Sequence, residues 1–231
     1  MRIAVFGANG RTGRLLTGQA LAAGHHVAAV TRQPNLFPLH HDRLEVVGAD
    51  VLDPVAVDAA VAERDVVLSA LGVPAGKGPI STYSRGVGNI VAAMERHRVR
   101  RLGVVSSTGV DPHSYSDGGF FFNRVLLPYV TRVLGRSLYD DMRRMETLVR
   151  ASGLDWTIVR PGGLYYLPAV TDYTIVGGHA DGRFTARADL AAGMLGLLDS
   201  DRYFRTTVGV ITTVDNPTLV QWIRCEAFAK S

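Results

Sequence analysis

Three glycines stand three residues apart near the start of the chain, in GANGRTG, where Gly7, Gly10 and Gly13 follow the apolar run RIAVF. Glycine allows a tight turn at the first position, close approach of backbone to a pyrophosphate at the second, and close helix packing at the third. Backbone N–H groups at the helix start would receive the phosphates. The turn thus predicts a dinucleotide site, although its GxxGxxG spacing also suits an ordinary strand-to-helix connection. Three further residues of the turn are predicted cofactor contacts: Asn9, Arg11 and Thr12.

The charge after the second apolar run indicates which dinucleotide is bound. A site for NAD usually places Asp or Glu about twenty residues beyond the glycines, where it accepts hydrogen bonds from the ribose 2′-hydroxyl. Here that place holds Arg32, in HVAAVTR, and no acidic residue precedes Asp42. A guanidinium can bind a 2′-phosphate through two hydrogen bonds, and Arg11 could join it from the glycine turn. The pattern predicts NADP(H) as cofactor; the alternative for either arginine is a solvated surface position.

Two further strand ends are expected along the adenine and ribose path. Asp50 and Val51 follow the third apolar run, LEVVGAD, and Leu71 and Gly72 close the fourth, DVVLSALG. We expect all four to contact the cofactor, with Asp50 and the Val51 backbone near the adenine. A helix or turn cap is an equally good explanation for the Asp50 carboxylate.

These residues need a scaffold that brings strand ends together. Six short apolar runs alternate with stretches of helical period, which is typical of buried parallel strands joined by crossover helices. The fold class predicted is α/β, a Rossmann-type doubly wound parallel sheet. We expect one domain over 1–231, with a cofactor-binding core in 1–160 and elements in 161–231 that cover the substrate side. The six runs are RIAVFGA, HVAAVTR, LEVVGAD, DVVLSALG, LGVVSSTG and WTIVRPGG.

Composition excludes several classes of function. The net charge of +4 comes from dispersed basic residues with no nucleic-acid-binding signature, so we expect no nucleic-acid partner. No apolar run is long enough to cross a membrane, and the amino end does not read as a signal peptide. The single Cys225 rules out an internal disulfide and a multi-cysteine metal site. We therefore expect a cytoplasmic protein without a metal or membrane partner; the sequence leaves the oligomeric state open.

Several motifs together resemble a known family. GANGRTG, GVGNIVAAM, VVSSTG, SGLDWTIVRPGGL and FTARADLA are similar to the atypical short-chain dehydrogenase/reductases, in the NAD(P)H-binding group with biliverdin-IXβ/flavin reductases and NmrA-like proteins. The resemblance covers nearly the whole chain. It implies a Rossmann fold, bound NADP(H) and often a reductase activity, but it does not fix a substrate.

The lysine content limits the chemistry that this resemblance allows. Related dehydrogenases use Tyr-x-x-x-Lys, in which the ammonium lowers the tyrosine pKa so that the phenol works as an acid or base. Counting back from Glu146 places these positions on Leu138 and Met142, and the only lysines are Lys77 and Lys230. No register restores the motif, so the sequence argues against alcohol dehydrogenation.

Two functions remain compatible with the missing lysine. An NADPH-dependent reductase can deliver hydride to a small conjugated acceptor, such as a flavin, quinone or linear tetrapyrrole, because such a ring system spreads the charge and takes its proton from water. Alternatively, the protein is a regulator of the NmrA-like type that binds NADP(H) without turning it over.

The candidate catalytic groups follow the fifth and sixth runs. Ser107, in VVSSTG, matches the active-site serine position of the family and could orient the nicotinamide or the acceptor; Ser106 is a weaker candidate for cofactor contact. Tyr165, after RPGG, could stack on a planar acceptor. A strand-end cap for Ser107 and core packing for Tyr165 are the alternatives. The resemblance also implies a histidine near this turn that Gly163 replaces. Lys77 and His113 could line the entrance to the site, but plain surface exposure is the favoured explanation for each of them.

Overall fold

The fold is described from a computed structural model, which describes residues 1–73, 78–113, 115, 119–129, 131, 133 and 135–228. Its strands are β1 (Arg2–Phe6), β2 (His26–Thr31), β3 (Leu44–Gly48), β4 (Val66–Ser69), β5 (Arg101–Val105), β6 (Asp155–Pro161), β7 (Gly163–Tyr165), β8 (Tyr173–Gly177), β9 (Phe184–Ala186) and β10 (Thr206–Thr212). Eight of them form one sheet in the order β3-β2-β1-β4-β5-β6-β10-β8. All neighbours pair in parallel except β10 and β8.

The predicted fold class is confirmed. All six apolar runs are parallel strands, and β1, β2 and β4 are buried at every position except the first residues of β1 and β2. Ala4 of β1 pairs with Ala28 of β2 on one side and Val67 of β4 on the other. Strands apolar on both faces need cover on both faces, which is why crossover helices lie on each side. The order of the first six strands is that of a Rossmann fold.

Two helical layers bury the faces of the sheet. Residues of α2, α3 and α6 form one apolar core with the sheet, and residues of α1 and α7 form the other. Among the described residues, no helix has the length and apolar character needed to cross a membrane. The helices are α1 (Arg11–Ala22), α2 (Pro54–Val61), α3 (Thr82–His97), α4 (Gly119–Phe121), α5 (Leu127–Tyr129), α6 (Arg136–Ala151), α7 (Arg187–Gly196) and α8 (Leu219–Phe228), with a π-helical stretch at Phe122–Leu126.

The carboxy-terminal part adds elements that the sequence did not predict. β8 runs antiparallel to β10 at the edge of the sheet, where its side chains alternate between half-buried and exposed. β7 and β9 form a separate two-stranded sheet. The same part also contains α7, β10 and α8. Short strands with one solvated face lack the continuous apolar run that identified the central ones.

The start of α3 is capped by a side chain from another helix. Ser81, the residue before α3, makes no capping hydrogen bond. Instead the fully buried Asp141 of α6 accepts hydrogen bonds from the backbone N–H groups of Tyr83 and Ser84 and from the Ser84 hydroxyl. A carboxylate at a helix start satisfies unpaired N–H groups and interacts favourably with the helix dipole. This contact fixes α6 against α3 on one face of the sheet.

We expect Asp141→Ala to lower the free energy of unfolding by about 3 kcal/mol, because it leaves buried N–H donors without acceptors. The neighbouring Asp140→Ala is the matched control, since the Asp140 side chain is 42% exposed and pairs with Arg136 and Arg143. Its cost should be below about 1 kcal/mol. Urea unfolding of both variants measures the difference, and equal losses would refute the capping role of Asp141.

Candidate functional site

Five parallel strands end at the same edge of the sheet, and the predicted site residues follow those ends. Gly7, Arg32 and Asp50 come after β1, β2 and β3, while Leu71 and Ser107 come after β4 and β5. In open α/β sheets this carboxyl edge is the usual ligand site. The structure therefore brings the predicted cofactor positions into one row along that edge.

The first glycine turn is held so tightly that two of its positions exclude a side chain. Gly7 has φ +76°, and a Cβ there would lie 2.6 Å from the Ala70 carbonyl oxygen. A Cβ on Gly13 would lie 2.1 Å from the Gly7 carbonyl oxygen. Leu71 borders the same turn, with its Cα 3.0 Å from the position of a Cβ on Gly7. Helix α1 thus begins directly on the end of β1, as close helix-on-strand packing requires.

The amino end of α1 suits an anion. Gly10 precedes the helix without a capping side chain, and the first turn contains no acidic residue. The first helical hydrogen bond runs from the Arg14 N–H to the Gly10 carbonyl, and the Asn9 side chain accepts a hydrogen bond from Arg14 Nε at 3.0 Å. A helix start with no carboxylate near it carries a partial positive charge toward the sheet edge. These residues fit the pyrophosphate of a dinucleotide. The half-buried Thr12 lies in the same first turn.

Arg32 is exposed immediately after β2, at the same edge. Its backbone turn is stabilised by a hydrogen bond from the Gln33 N–H to Thr31 Oγ1. In the part of the chain that the structure describes, the Arg32 guanidinium makes neither an ion pair nor a hydrogen bond. Arg11, also exposed, begins α1 at the adjacent strand end. Both arginines stand where the sequence placed them, and their contact with a 2′-phosphate stays a prediction.

Asp50 and Val51, which follow β3, both make structural hydrogen bonds. Asp50 Oδ1 accepts a hydrogen bond from the Leu52 N–H at 2.9 Å, so the carboxylate caps a turn, as the alternative explanation held. Val51 is buried, and its carbonyl accepts a hydrogen bond from Asn89 of α3. Gly72 is exposed beyond β4 with open space around it. Asp50 is exposed at the same edge of the sheet, where an adenosine contact remains a prediction.

Ser107 and Tyr139 meet beyond the end of β5. The Ser107 hydroxyl accepts a hydrogen bond from the Gly109 N–H at 3.1 Å, which caps the 3-10 turn Thr108–Val110. The Tyr139 ring lies against Gly109, where a Cβ would be 2.4 Å from its Cε1. Burial raises the pKa of the Tyr139 phenol, and hydrogen bonding with Ser107 offsets only part of this rise. A serine and a neutral tyrosine thus stand together at the sheet edge.

Sequence reasoning did not single out Tyr139. Its alignment placed the family tyrosine on Leu138 and the lysine on Met142, which is buried in the core. The residue four positions after Tyr139 is Arg143, whose guanidinium donates to the Val110 carbonyl at 2.9 Å and to Asp140 at 2.7 Å. No ammonium group occupies this position of the helix. The available signal was the pairing of Tyr139 with a cation four residues later, which a search for lysine alone overlooks.

Two other predicted residues serve the packing of the protein. Ser106 is buried, and its hydroxyl donates to Glu146 at 2.7 Å, so its side chain points into the core. Tyr165 is also buried and packs edge-on against Phe184, with ring centroids 6.4 Å apart. Its ring is therefore covered, which supports the packing alternative over stacking on a planar acceptor. Burial raises the pKa of its phenol.

A cavity of about 450 Å³ opens at the carboxyl end of β10, lined by residues of 181–184, 211–213 and 216–218. It adjoins the end of β6, because the Gly163 N–H donates to the Arg183 carbonyl at 2.7 Å. The Tyr165 hydroxyl lies 3.3 Å from the side-chain oxygen of Asn216, one of the lining residues. Trp222 packs beside Gly163, 3.1 Å from where a Cβ would stand, so a histidine at this position would require Trp222 to shift.

The expected entrance residues are only partly described. Lys77 lies outside the described residues. His113 follows the Ser107 turn, and its ring stacks at 4.1 Å on His179, which comes from the segment between β8 and β9. No group of three or more potential metal-ligating side chains occurs within the described ranges.

The fold and the glycine turn define a Rossmann-type dinucleotide-binding protein. Residues 7–201 match the sequence model of the NAD(P)H-binding family, and the chain belongs to this family.

Among its relatives, the uncharacterized protein Rv2047c of Mycobacterium tuberculosis is 35% identical over 113 residues, which make up 48% of this chain and 12% of that protein. The chain thus matches only a small part of that relative. A short-chain dehydrogenase/reductase from Veillonella parvula in complex with NADP superposes with a TM-score of 0.78 and 23% identity, covering 94% of this chain and 98% of that one. ChuY, an anaerobillin reductase from Escherichia coli O157:H7, superposes with a TM-score of 0.71 and 22% identity, covering 94% of this chain and 100% of that one. These structures share the fold.

We expect Gly13→Ala to weaken NADPH binding at least about tenfold and to destabilise the protein by about 2 kcal/mol, because its Cβ would collide with the Gly7 carbonyl. Gly18→Ala in the same helix is the matched control, since a Cβ there meets only a leucine methyl at 4.0 Å. That variant should bind normally and gain about 0.5 kcal/mol from helix propensity. Isothermal titration with NADPH and thermal unfolding measure both effects; parallel behaviour of the two variants would contradict the packing argument.

Proposed function

We propose that the protein is an NADPH-dependent reductase that acts on a small conjugated acceptor such as a flavin or quinone. The observation that carries this proposal is the Ser107–Tyr139 pair at the carboxyl edge, in an NAD(P)H-binding fold, with an arginine and no lysine four residues after the tyrosine. A phenol with a raised pKa stays protonated near neutral pH. It can donate a hydrogen bond to an acceptor but is poorly suited to the reversible proton transfer that alcohol oxidation needs.

The choice of NADPH over NADH rests on charge. Arg32 lies exposed where an NAD-dependent protein would hold an acid, and Arg11 starts the adjacent helix. Two guanidinium groups and no carboxylate favour a 2′-phosphate over a 2′-hydroxyl. The Veillonella parvula relative, whose fold is shared, carries NADP.

At the proposed site, residues of the chain have three tasks: to bind the cofactor, to hold the Tyr139 phenol and to donate a hydrogen bond to the acceptor. Bound NADPH supplies a hydride from its nicotinamide ring. The turn of Gly7, Gly10 and Gly13 would bring the N–H groups at the start of α1 to the pyrophosphate, and Ser107 accepts the Gly109 N–H and holds the Tyr139 phenol by hydrogen bonding. The phenol then faces the acceptor as a fixed donor, while the proton that completes reduction comes from water. Positioning of this kind accounts for several kcal/mol of rate acceleration in favourable cases.

Cofactor preference is tested by Arg32→Glu. Loss of the guanidinium and gain of a carboxylate should weaken NADPH binding by about 100-fold, whereas NADH binding should change less than about threefold. Titration of both nucleotides, followed by nicotinamide fluorescence, measures the two affinities. Arg202→Glu is the control with the same charge change, because Arg202 precedes the amino end of β10 and lies at the opposite edge. Equal losses for NADPH and NADH would remove Arg32 from the 2′-phosphate site.

The role of Tyr139 is tested by Tyr139→Phe, assayed with NADPH and riboflavin, FMN or a small quinone. Because the phenol only donates a hydrogen bond, we expect kcat to fall by less than about tenfold, against the 100-fold or more expected for a general acid. The wild-type kcat should also stay constant between about pH 6 and 9, since a raised tyrosine pKa lies above that range. A loss of about 1,000-fold, or a sharp pH profile in this range, would show that Tyr139 transfers a proton in the reaction.

The missing lysine also favours a second function, a regulator that binds NADP(H) without consuming it. It differs from the reductase in one measurement. A protein that binds NADPH tightly, distinguishes it from NADP⁺ and oxidises it with none of a broad panel of flavins and quinones is the regulator. Steady NADPH oxidation with any of these acceptors identifies the reductase.

A further inference from the structure

One buried carboxylate contacts both strand ends beside the proposed nicotinamide position. Glu146, in the middle of α6, is 1% exposed. Its Oε1 accepts hydrogen bonds from the Ser106 hydroxyl at 2.7 Å and from Arg160 Nε at 2.9 Å. Its Oε2 accepts from Arg160 Nη2 at 2.6 Å and from Arg150 at 2.8 Å. Four donor atoms fix both oxygens of this side chain, and two of them make the bidentate contact with Arg160.

The carboxylate is ionised and already fully occupied by these donors. Burial alone would raise the pKa of the Glu146 carboxyl, but the hydrogen bonds from Arg160 and Ser106 outweigh burial and hold the pKa below its ordinary value. The charges of Arg160 and Arg150 act in the same direction. A buried carboxylate with this many donors has no part in delivering a proton, so any role in the reaction must be indirect.

The position of each donor indicates what that role is. Ser106 stands directly before Ser107, just past the end of β5, and its N–H extends the pairing with β6 by donating to the Val159 carbonyl at 2.7 Å. Arg160 stands directly before Pro161 and Gly162, where β6 ends. Glu146 itself lies seven residues after Tyr139 on α6. One side chain therefore connects the three elements that carry Ser107, the β6 end and Tyr139.

The network extends outward through Arg160. Its Nη1 lies 3.6 Å from the Asp111 carboxylate, in the loop that follows the Ser107 turn. The Asp111 carbonyl in turn contacts the His113 ring at 2.8 Å. The loop that borders the site is thereby linked to the same buried charge.

Stability alone does not explain a buried ion pair of this kind. Replacing such a pair with apolar side chains of similar volume is often neutral or stabilising, because desolvation offsets the Coulomb attraction. The directional contacts of a carboxylate instead fix the relative position of the groups that it binds. Apolar side chains in place of both Glu146 and Arg160 would make no directional contacts and would leave the two strand ends free to shift.

We infer that Glu146 is a positioning residue of the proposed reductase, which holds the Ser107 and Gly162 strand ends at the spacing that the nicotinamide and acceptor need. The inference rests on the proposed function and names no new contact with substrate. The residues proposed to bind the phosphates, Gly7, Gly13 and Arg32, follow other strands than those that Glu146 contacts. Loss of Glu146 should therefore leave the affinity for NADPH unchanged and lower the turnover rate.

The test uses Glu146→Gln, which keeps the shape of the side chain and removes its charge. We expect the NADPH dissociation constant to stay within about twofold of wild type, because the phosphate contacts are distant. We expect kcat with FMN or a quinone, per folded molecule, to fall at least about tenfold, since small displacements of reacting groups have large effects on rate. The fluorescence anisotropy of bound NADPH should also fall, as the nicotinamide ring becomes less restrained.

Two controls separate positioning from stability. Arg150 lies on α6, as Glu146 does, and its side chain is 42% exposed. Arg150→Gln removes its hydrogen bond to the Glu146 carboxylate. It should lower the melting temperature while leaving kcat and anisotropy unchanged. If Glu146→Gln does not fold, Ser106→Ala removes one strand-end contact without unpairing a charge and should show the same effects at about threefold in kcat.

The outcomes distinguish this inference from the proposed function. Wild-type kcat or wild-type anisotropy in the folded Glu146→Gln variant, or in Ser106→Ala if that variant fails to fold, overturns the positioning role. If the wild-type protein reduces no acceptor, the reductase proposal fails, and anisotropy alone decides whether Glu146 restrains the nicotinamide ring.

Discussion

The close contact between Gly13 and the Gly7 carbonyl is the constraint on which much of this structure depends. It places the first turn of α1 on the end of β1, with 2.1 Å between that carbonyl oxygen and the position of a Cβ on residue 13. With its start fixed, α1 lies along the sheet and buries Leu16 and Ala20. Helix α7 then packs against α1, and Gln19 donates to the Ala188 carbonyl at 3.1 Å. The turn that suits a pyrophosphate is thus also the contact that organises one face of the sheet.

The other face is organised by buried charge. Helix α6 carries two buried carboxylates, Asp141 and Glu146, at 0% and 1% exposure. Asp141 caps α3, whereas Glu146 binds the ends of β5 and β6. Apolar packing can accept small rotations of a helix, but directional hydrogen bonds to a carboxylate accept few. The two acids therefore set the rotation of α6, and that rotation directs Tyr139 toward Ser107.

Much of the fold follows from sequence pattern because buried parallel strands are apolar on both faces. The runs containing Ala4, Ala28 and Val67 were identified in this way, and the turn after the first run has the glycines that close packing demands. The antiparallel β8 was missed, since Tyr173–Gly177 has one solvated face and no continuous apolar run. Periodicity finds elements by what they bury, and a half-exposed edge strand buries too little to be distinguished from a loop.

The site was less predictable because its geometry depends on tertiary contacts. Tyr139 was not singled out, because its closeness to Ser107 and Gly109 comes from the packing of α6 near the end of β5 and not from any spacing in the sequence. Tyr165 is an aromatic residue of the kind that can stack on a planar acceptor, but Phe184 packs against its ring and covers it. Glu146 lies on a helix and Arg160 on a strand, so no spacing in the sequence predicts that they form an ion pair.

The distribution of arginines connects these features to the chemistry. Arg150 and Arg160 hold the buried Glu146, and Arg143 binds a carbonyl and Asp140, so the cations on this side of the site are committed to structure. Arg32 stands exposed at the carboxyl edge. Arg143, four residues after Tyr139, is always charged near neutral pH and is turned to the Val110 carbonyl. The pKa of Tyr139 is raised by burial, and hydrogen bonding with Ser107 offsets only part of this rise. At one end of the edge an arginine thus stands exposed, while at the other end arginines hold the structure around a tyrosine that burial keeps protonated.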